Sequence, residues 1–334
     1  MILVTGGTGL VGAHLLLQLT RTEGAVKATY RTKASLKKVT DIFGYYTDES
    51  ETLFNKISWV QADINNIPEL EIAFEHVTHV YHCAALISFD PKDYDILYKI
   101  NAEGTANIVN FCLAKNIKKL CYVSTIGTIG KETHTTIVNE ESDWNNQDIN
   151  PYALTKYDAE MEVWRGSQEG LQIVILNPGV IIGPGFWNTG SGVLFTNAAK
   201  GRKRYPPGGS GFVAIQDVIA LMILAMNAAI TKERFIVVAE NLSYKQILTK
   251  ITHKLQVRPP SKILKFWQLE FLWRLDWIWS LLTNSKRRLT KSAVISLQEQ
   301  HIYDTKKVTE TFKYNFEKVD NSIAFCAEQY LKEH

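Results

Sequence analysis

Met1-Ile-Leu-Val-Thr-Gly-Gly-Thr-Gly-Leu-Val-Gly12 opens the chain. Ile2, Leu3 and Val4 form a short apolar run, as in a strand buried on both faces of a parallel sheet. Ala13 to Leu19 then reads as an apolar helix, and between the two Gly6, Gly9 and Gly12 stand three apart. Strand, glycine turn and helix in that order are the context that gives a dinucleotide-binding pattern its meaning. Gly6 permits the tight turn, Gly9 lets the backbone approach a pyrophosphate, and Gly12 lets the helix pack against the strand. The free N–H groups and positive dipole of the helix N-terminus then face the phosphates. Thr5, Gly7, Thr8, Leu10 and Val11 complete the expected cradle.

Working outward, 334 residues accommodate one large domain or two modest ones. With 46% hydrophobic and 21% charged residues, the composition is that of an ordinary soluble globular protein. A net charge of +3 offers no electrostatic case for nucleic acid. Cys83, Cys112, Cys121 and Cys326 have neither metal-site nor disulfide-framework spacing, so no metal is expected. The first three lie in or beside apolar runs and read as reduced core residues of a cytoplasmic chain. With the first strand starting at residue 2, no leader peptide is expected.

Further strands are expected at Val26 to Tyr30, Ile57 to Gln61, His79 to His82, Leu120 to Ser124 and Leu171 to Leu176. Helices are expected at Tyr94 to Ala114 and from Pro151 to about residue 169, with helix ends and loop over 40–56. This alternation predicts an α/β fold, a doubly wound parallel Rossmann sheet with right-handed crossovers. An acidic, polar loop precedes Asn150, and the alternation breaks after residue 185. The expected organisation is a cofactor-binding domain over 1–185 and a smaller, mostly helical substrate-binding part over 186–334. Within the latter, 212–238 returns to the first sheet.

Beyond Tyr30, where an NAD enzyme places a carboxylate for the ribose hydroxyls, this chain has Arg31 and then Lys33. A guanidinium grips a 2′-phosphate, so NADP is the expected cofactor, with NAD the alternative. Cys83, Ala84 and Ala85 are small residues at the carboxyl end of a strand, where ligands bind in such sheets. Tyr152 and Lys156 lie one turn apart on one helix face. A ketone reduced by hydride takes a proton on its oxygen, which a tyrosine supplies. An adjacent ammonium would lower the tyrosine pKa from about 10, and could also hold the nicotinamide ribose. A hydroxyl from the preceding strand would bind the substrate oxygen, with Ser124 and Thr125 both in place.

Thr5-Gly-Gly-Thr-Gly-Leu-Val-Gly12 with Tyr152-Ala-Leu-Thr-Lys156 resembles the extended branch of the short-chain dehydrogenase/reductase superfamily. The stretch 26–38 looks like dihydroflavonol-reductase-type members, and 288–308 like 3β-hydroxysteroid-dehydrogenase-type members. The resemblance implies that Asp63 and Ile64 border the adenine; otherwise Asp63 caps a helix. It implies that Asn101, in Asn101-Ala-Glu-Gly-Thr105, supports the active-site backbone. It places the catalytic hydroxyl at Thr125, with Ser124 the neighbouring alternative. Asn177-Pro-Gly-Val180 matches a motif that opens with arginine in the family, which puts that arginine's contacts in doubt and leaves Pro178, Gly179 and Val180 at the cofactor. Ile126 and Gly127 replace the acidic pair of dehydratases. The function implied is an NADP-dependent oxidoreductase acting on a carbonyl or alcohol of a largely apolar small molecule. A sugar-nucleotide epimerase using NAD and a non-catalytic NADP-sensing protein are the alternatives.

Ile263 to Leu282 carries Trp267, Trp273, Trp277 and Trp279, interrupted by Glu270, Arg274 and Asp276 and followed by Lys286-Arg-Arg288. Those charges argue against a transmembrane span. The stretch is expected as a lid whose apolar side packs on the substrate-binding part; the alternative is an interfacial helix touching a membrane. A homodimer is compatible with the sequence.

Overall fold

The computed structural model describes residues 1–22, 25–130, 137–144, 150–283, 285, 287 and 289–334. Much of the polar loop before Asn150, and both Lys286 and Arg288, lie outside these. Seven strands form the central sheet: β1 (Ile2–Thr5), β2 (Val26–Tyr30), β3 (Ile57–Gln61), β4 (His79–His82), β5 (Lys119–Val123), β6 (Ile173–Pro178) and, later in the chain, Glu233–Val237. All pair in parallel. The chain starts mid-sheet, winds outward through β2 and β3, then returns to β4 on the other side of β1. The carboxyl ends of β1 and β4 therefore flank the switch point, where open sheets of this kind hold ligands.

Side chains alternate across the sheet, as a period of two requires. Leu3, Val80, Leu120, Tyr122, Ile173 and Ile175 pack with Ile108, Val109 and Val163 on one face. Val4, Tyr81, Cys121, Val174 and Leu176 pack with Leu15, Leu16, Val218 and Leu221 on the other. Both faces are covered, which is why β1, β5 and β6 are apolar over most of their length rather than alternating with polar residues.

Three expectations are corrected. Residues 40–56 hold the end of the helix Leu36–Gly44 and a turn, but also a second helix, Ser50–Asn55, whose single buried residue, Leu53, makes too short a repeat to stand out. Of 212–238, only Glu233–Val237 joins the main sheet. Residues Gly209–Ala214 instead pair with Val180–Ile182 and Glu240–Ser243 in a separate three-stranded sheet. That sheet covers a third core containing Ile182, Phe212, Leu242, Ile247 and Ile323. Finally, helix Phe266–Thr283 does not pack its apolar side inward, since only Leu269 and Ser280 are buried. Among the described residues no helix is long and apolar enough to cross a membrane.

Lys119, on β5, is buried, and its ammonium caps the helix Ile215–Asn227 by donating to the carbonyls of Ala225, Ala228 and Ile230 at 2.6–2.8 Å. Lys119→Met keeps the aliphatic stem but orphans those acceptors. A loss of about 2 kcal/mol is expected, read as a lower urea midpoint at unchanged m. An unchanged midpoint would show that the cap carries no stability.

Candidate active site

At the switch point the backbone is pinched. Gly6 has φ +69°, and a Cβ there would sit 2.6 Å from Ala84 N, so the exit of β1 presses on the exit of β4. A Cβ at Gly12 would lie 2.2 Å from Gly6 O, which packs the helix onto the turn. Gly9 differs: its nearest such neighbour is Gly6 O at 3.4 Å. The first helical bond runs from Ala13 N–H to Gly9 O at 2.9 Å, leaving the N–H groups of Leu10, Val11 and Gly12 ahead of it. With Thr8, Gly9, Leu10 and Val11 only half-buried, this cradle fits a diphosphate. Thr5 and Gly7 are buried and shape the turn from behind.

Arg31 and Lys33 are exposed just beyond β2. Asp63 is half-buried and accepts from Asn65 N–H at 2.9 Å; the cap of the following helix is Asn66. Ile64 is buried against Gly104, where a Cβ would meet its Cδ1 at 2.5 Å, so it wedges the helix rather than facing the crevice. Cys83 and Ala84 are half-buried and Ala85 exposed along the crevice edge. Pro178 is buried, while Gly179 is clamped, a Cβ there falling 2.4 Å from Gly211 O; of the three, Val180 has an exposed side chain in part.

Behind the crevice runs a chain of buried polar groups. Thr5 Oγ1 bonds His82 Nδ1 at 2.6 Å, His82 Nε2 bonds Thr105 Oγ1 at 2.9 Å, and Thr105 donates to Asn101 O at 2.5 Å. Burial pulls His82 down to about 3, so the ring is neutral. Because the Thr105 proton is spent on Asn101, Nε2 carries the ring hydrogen and Nδ1 accepts from Thr5, a tautomer assigned from the network. Asn101 sits in a π-helical turn, Lys99–Glu103, inside the helical run from Tyr94 to Ala114. Its amide exchanges two hydrogen bonds with the Leu86 backbone, at 2.8 and 3.1 Å, and donates to Thr155 Oγ1 at 3.1 Å. At 1% exposure Asn101 is not a cofactor contact but a clamp on the segment after β4.

The helix Pro151–Gln168 is capped by Asn150, whose side chain accepts from Ala153 N–H at 2.8 Å, with Pro151 in the first turn. Tyr152 is half-buried, edge-on to Phe89 with ring centroids 6.0 Å apart. Burial pushes its phenol up to about 12. Lys156 is 2% exposed and donates to Tyr122 Oη at 2.5 Å and Val123 O at 2.9 Å. Burial pulls its ammonium down to about 7, against the opposing pull of Glu160. The expected lowering of the tyrosine pKa by the lysine is therefore absent from this arrangement: Lys156 is engaged on β5, and desolvation dominates at Tyr152.

Ser124 and Thr125 diverge. Ser124 is buried and donates to Glu160 Oε2 at 2.6 Å, so it faces away from the crevice and is set aside as a catalytic or cofactor-binding hydroxyl. Thr125 is half-buried, accepting from Gly127 N–H at 3.2 Å, with its hydroxyl proton uncommitted to that bond. Glu160 is fully buried, and Thr128 and Asn177 also donate to its Oε2, at 2.8 and 2.9 Å. Arg234, on the strand beside β6, lies 3.3 Å from its other oxygen. Arg234 and Asn177 thus hold the two oxygens of one buried carboxylate. Glu160, Arg234, Thr128, Thr155 and Phe89 were missed from sequence. Only Glu160, one turn past Lys156 on an apolar helix side, had a local signal.

The model of the NAD dependent epimerase/dehydratase family matches residues 2–239. A putative dihydroflavonol 4-reductase of Synechocystis sp. is 28% identical over 318 residues, covering 92% of this chain and 88% of that protein. Sterol demethylase protein B of Methylococcus capsulatus is 28% identical over 251 residues, covering 74% and 72%. The solved UDP-glucose 4-epimerase of Thermotoga maritima superposes with a TM-score of 0.78 at 18% identity over 99% of each chain, a likeness of fold. A family match that takes in the glycine turn, the Tyr152 helix and the returning strand makes this chain a member of the NAD-dependent epimerase/dehydratase family, and with it an NAD(P)-dependent enzyme.

Proposed function

We propose that this enzyme is an NADP-dependent oxidoreductase that reduces a carbonyl group on a largely apolar small molecule, with Tyr152 as the acid. The observation that carries the reading is a half-buried phenol edge-on to Phe89, one helical turn before a buried lysine and on the helix that the buried Thr5–Asn101 line ties to the glycine turn. A bound nicotinamide supplies the hydride. Tyr152 gives its proton to the carbonyl oxygen as the carbon is reduced, and Thr125 offers that oxygen a second hydrogen bond. With the cofactor bound, Lys156 would exchange Tyr122 and Val123 for the ribose hydroxyls, which would bring its charge toward the phenolate that forms. Arg31 and Lys33 favour the 2′-phosphate.

Tyr152→Phe keeps the ring and its packing against Phe89. Turnover is expected to fall about 100- to 10,000-fold with cofactor affinity near parental, measured as NADPH oxidation on a panel of apolar ketones and aldehydes. Thr125→Ala is expected to lower kcat, whereas Ser124→Ala lowers stability through Glu160. Parental turnover in Tyr152→Phe would sink the assignment. Interconversion of UDP-sugars without net NADPH oxidation would instead support an epimerase.

Arg31→Asp places a carboxylate where the 2′-phosphate is expected. NADPH affinity should drop and NADH affinity rise, read by nicotinamide fluorescence. Equal affinities of the parent for both cofactors would contradict the NADP reading.

Lys156 makes binding depend on pH. With its pKa pulled down to about 7, the lysine is mostly neutral at pH 8; ribose acceptors and the nearby phosphates favour the ammonium, so binding takes up a proton there. Calorimetry in buffers of different ionisation enthalpy should show uptake of up to about one proton at pH 8, little at pH 6, and none for Lys156→Met. Equal uptake by parent and variant would place the titrating group elsewhere.

A further inference from the structure

The helix Phe266–Thr283 is polar on the wrong side. Leu269, Trp273, Asp276 and Ser280 form the stripe that faces the protein, and two of the four are polar. Asp276 accepts from Leu289 N–H at 3.1 Å, while Ser280 donates to Ser285 O and accepts from Lys92 Nζ. The outer side carries Trp267, Phe271, Trp277, Trp279, Leu281 and Leu282, exposed by 47–79%. An amphipathic helix on a water-soluble surface would have these faces reversed. Arg274 is the cation on the outer side, and it is folded back onto Glu270 and the Trp273 ring. Contiguous apolar surface over 18 residues, about 27 Å of helix, marks a binding face.

Charge says what covers it. The helix is entered through Lys262–Ile263, which pairs in parallel with Arg204–Tyr205. Lys203, Arg204, Lys262 and Lys265 are all exposed there, and none has an acidic partner among the described residues. Cations at a helix N-terminus oppose the helix dipole, so they do not serve the helix itself. Tryptophans beside unpaired cations suit an interface where rings sit at headgroup depth and ammonium groups meet phosphates. The helix is also tied to the crevice mouth: Arg287 N–H donates to Asp90 and Lys92 to Ser280, next to the Phe89 that touches Tyr152.

We propose that Phe266–Thr283 is an interfacial helix that seats this enzyme on an anionic lipid surface, with the crevice mouth beside the lipid. The binding does not need the oxidoreductase reading; that reading adds only that the substrate comes from the bilayer. The test is flotation with vesicles of equimolar phosphatidylcholine and phosphatidylglycerol, without cofactor. The parent should float, with blue-shifted tryptophan emission, and phosphatidylcholine alone should recover about 10-fold less or lower. Combined Trp267→Ser, Phe271→Ser, Trp279→Ser and Leu282→Ser should abolish flotation while leaving NADPH affinity unchanged. Combined Lys203→Glu, Arg204→Glu, Lys262→Glu and Lys265→Glu should remove the preference for anionic lipid. Failure of the parent to float overturns the proposal, as does a parent dimer in sedimentation equilibrium that the serine variant dissolves. Because the parent's behaviour decides, misfolding of a variant does not rescue the idea. NADPH oxidation on the panel of apolar ketones and aldehydes, measured on the same preparation, separates this outcome from failure of the oxidoreductase reading.

Discussion

A line of hydrogen bonds crosses the apolar middle of the molecule from Thr5 through His82 and Thr105 to Asn101, and from there to Leu86 and Thr155. Groups buried this deeply cost free energy unless each finds its partner, so the line holds only when all its members are in register. It joins the glycine turn, the end of β4, the π turn and the helix of Tyr152, which are far apart in sequence. The crevice inherits its shape from that line. Gly6 can press on Ala84 because β1 and β4 are locked by Thr5 and His82, and Lys156 follows Thr155 on its helix.

A second buried cluster, around Glu160, does for Thr125 what the first does for the crevice. A buried carboxylate needs compensation, and Ser124, Thr128, Asn177 and Arg234 provide it. Ser124 is thereby turned inward and its neighbour is left at the crevice. Which of two adjacent hydroxyls is available is thus decided by a residue 36 positions away.

The fold was largely legible because its signals are local. Apolar strands and the glycine spacing each show within a few residues, and both faces of the sheet are buried, so the strands stand out. The site was legible only where its spacing is also local, as for Tyr152 and Lys156 on one helix face. Arg234 could not be found, because its position beside Glu160 depends on a strand that returns to the sheet from beyond the second core. Asn101 was found as a support of the backbone, but that a π turn aims its amide at Leu86 is something helical spacing does not reveal. The tryptophan-rich helix was legible as a helix, but its inverted polarity shows only once Asp276 and Ser280 are seen facing inward.

The central claim is that the switch point between β1 and β4 holds a nicotinamide dinucleotide whose reactive ring lies against Tyr152. A crystal structure with NADPH tests it most directly. The account predicts the diphosphate on the N–H groups of Leu10, Val11 and Gly12, Lys156 moved from Tyr122 to the ribose, and the nicotinamide beside Tyr152 and Thr125. A dinucleotide bound elsewhere, or a nicotinamide facing away while Lys156 stays on Tyr122 and Val123, would contradict it.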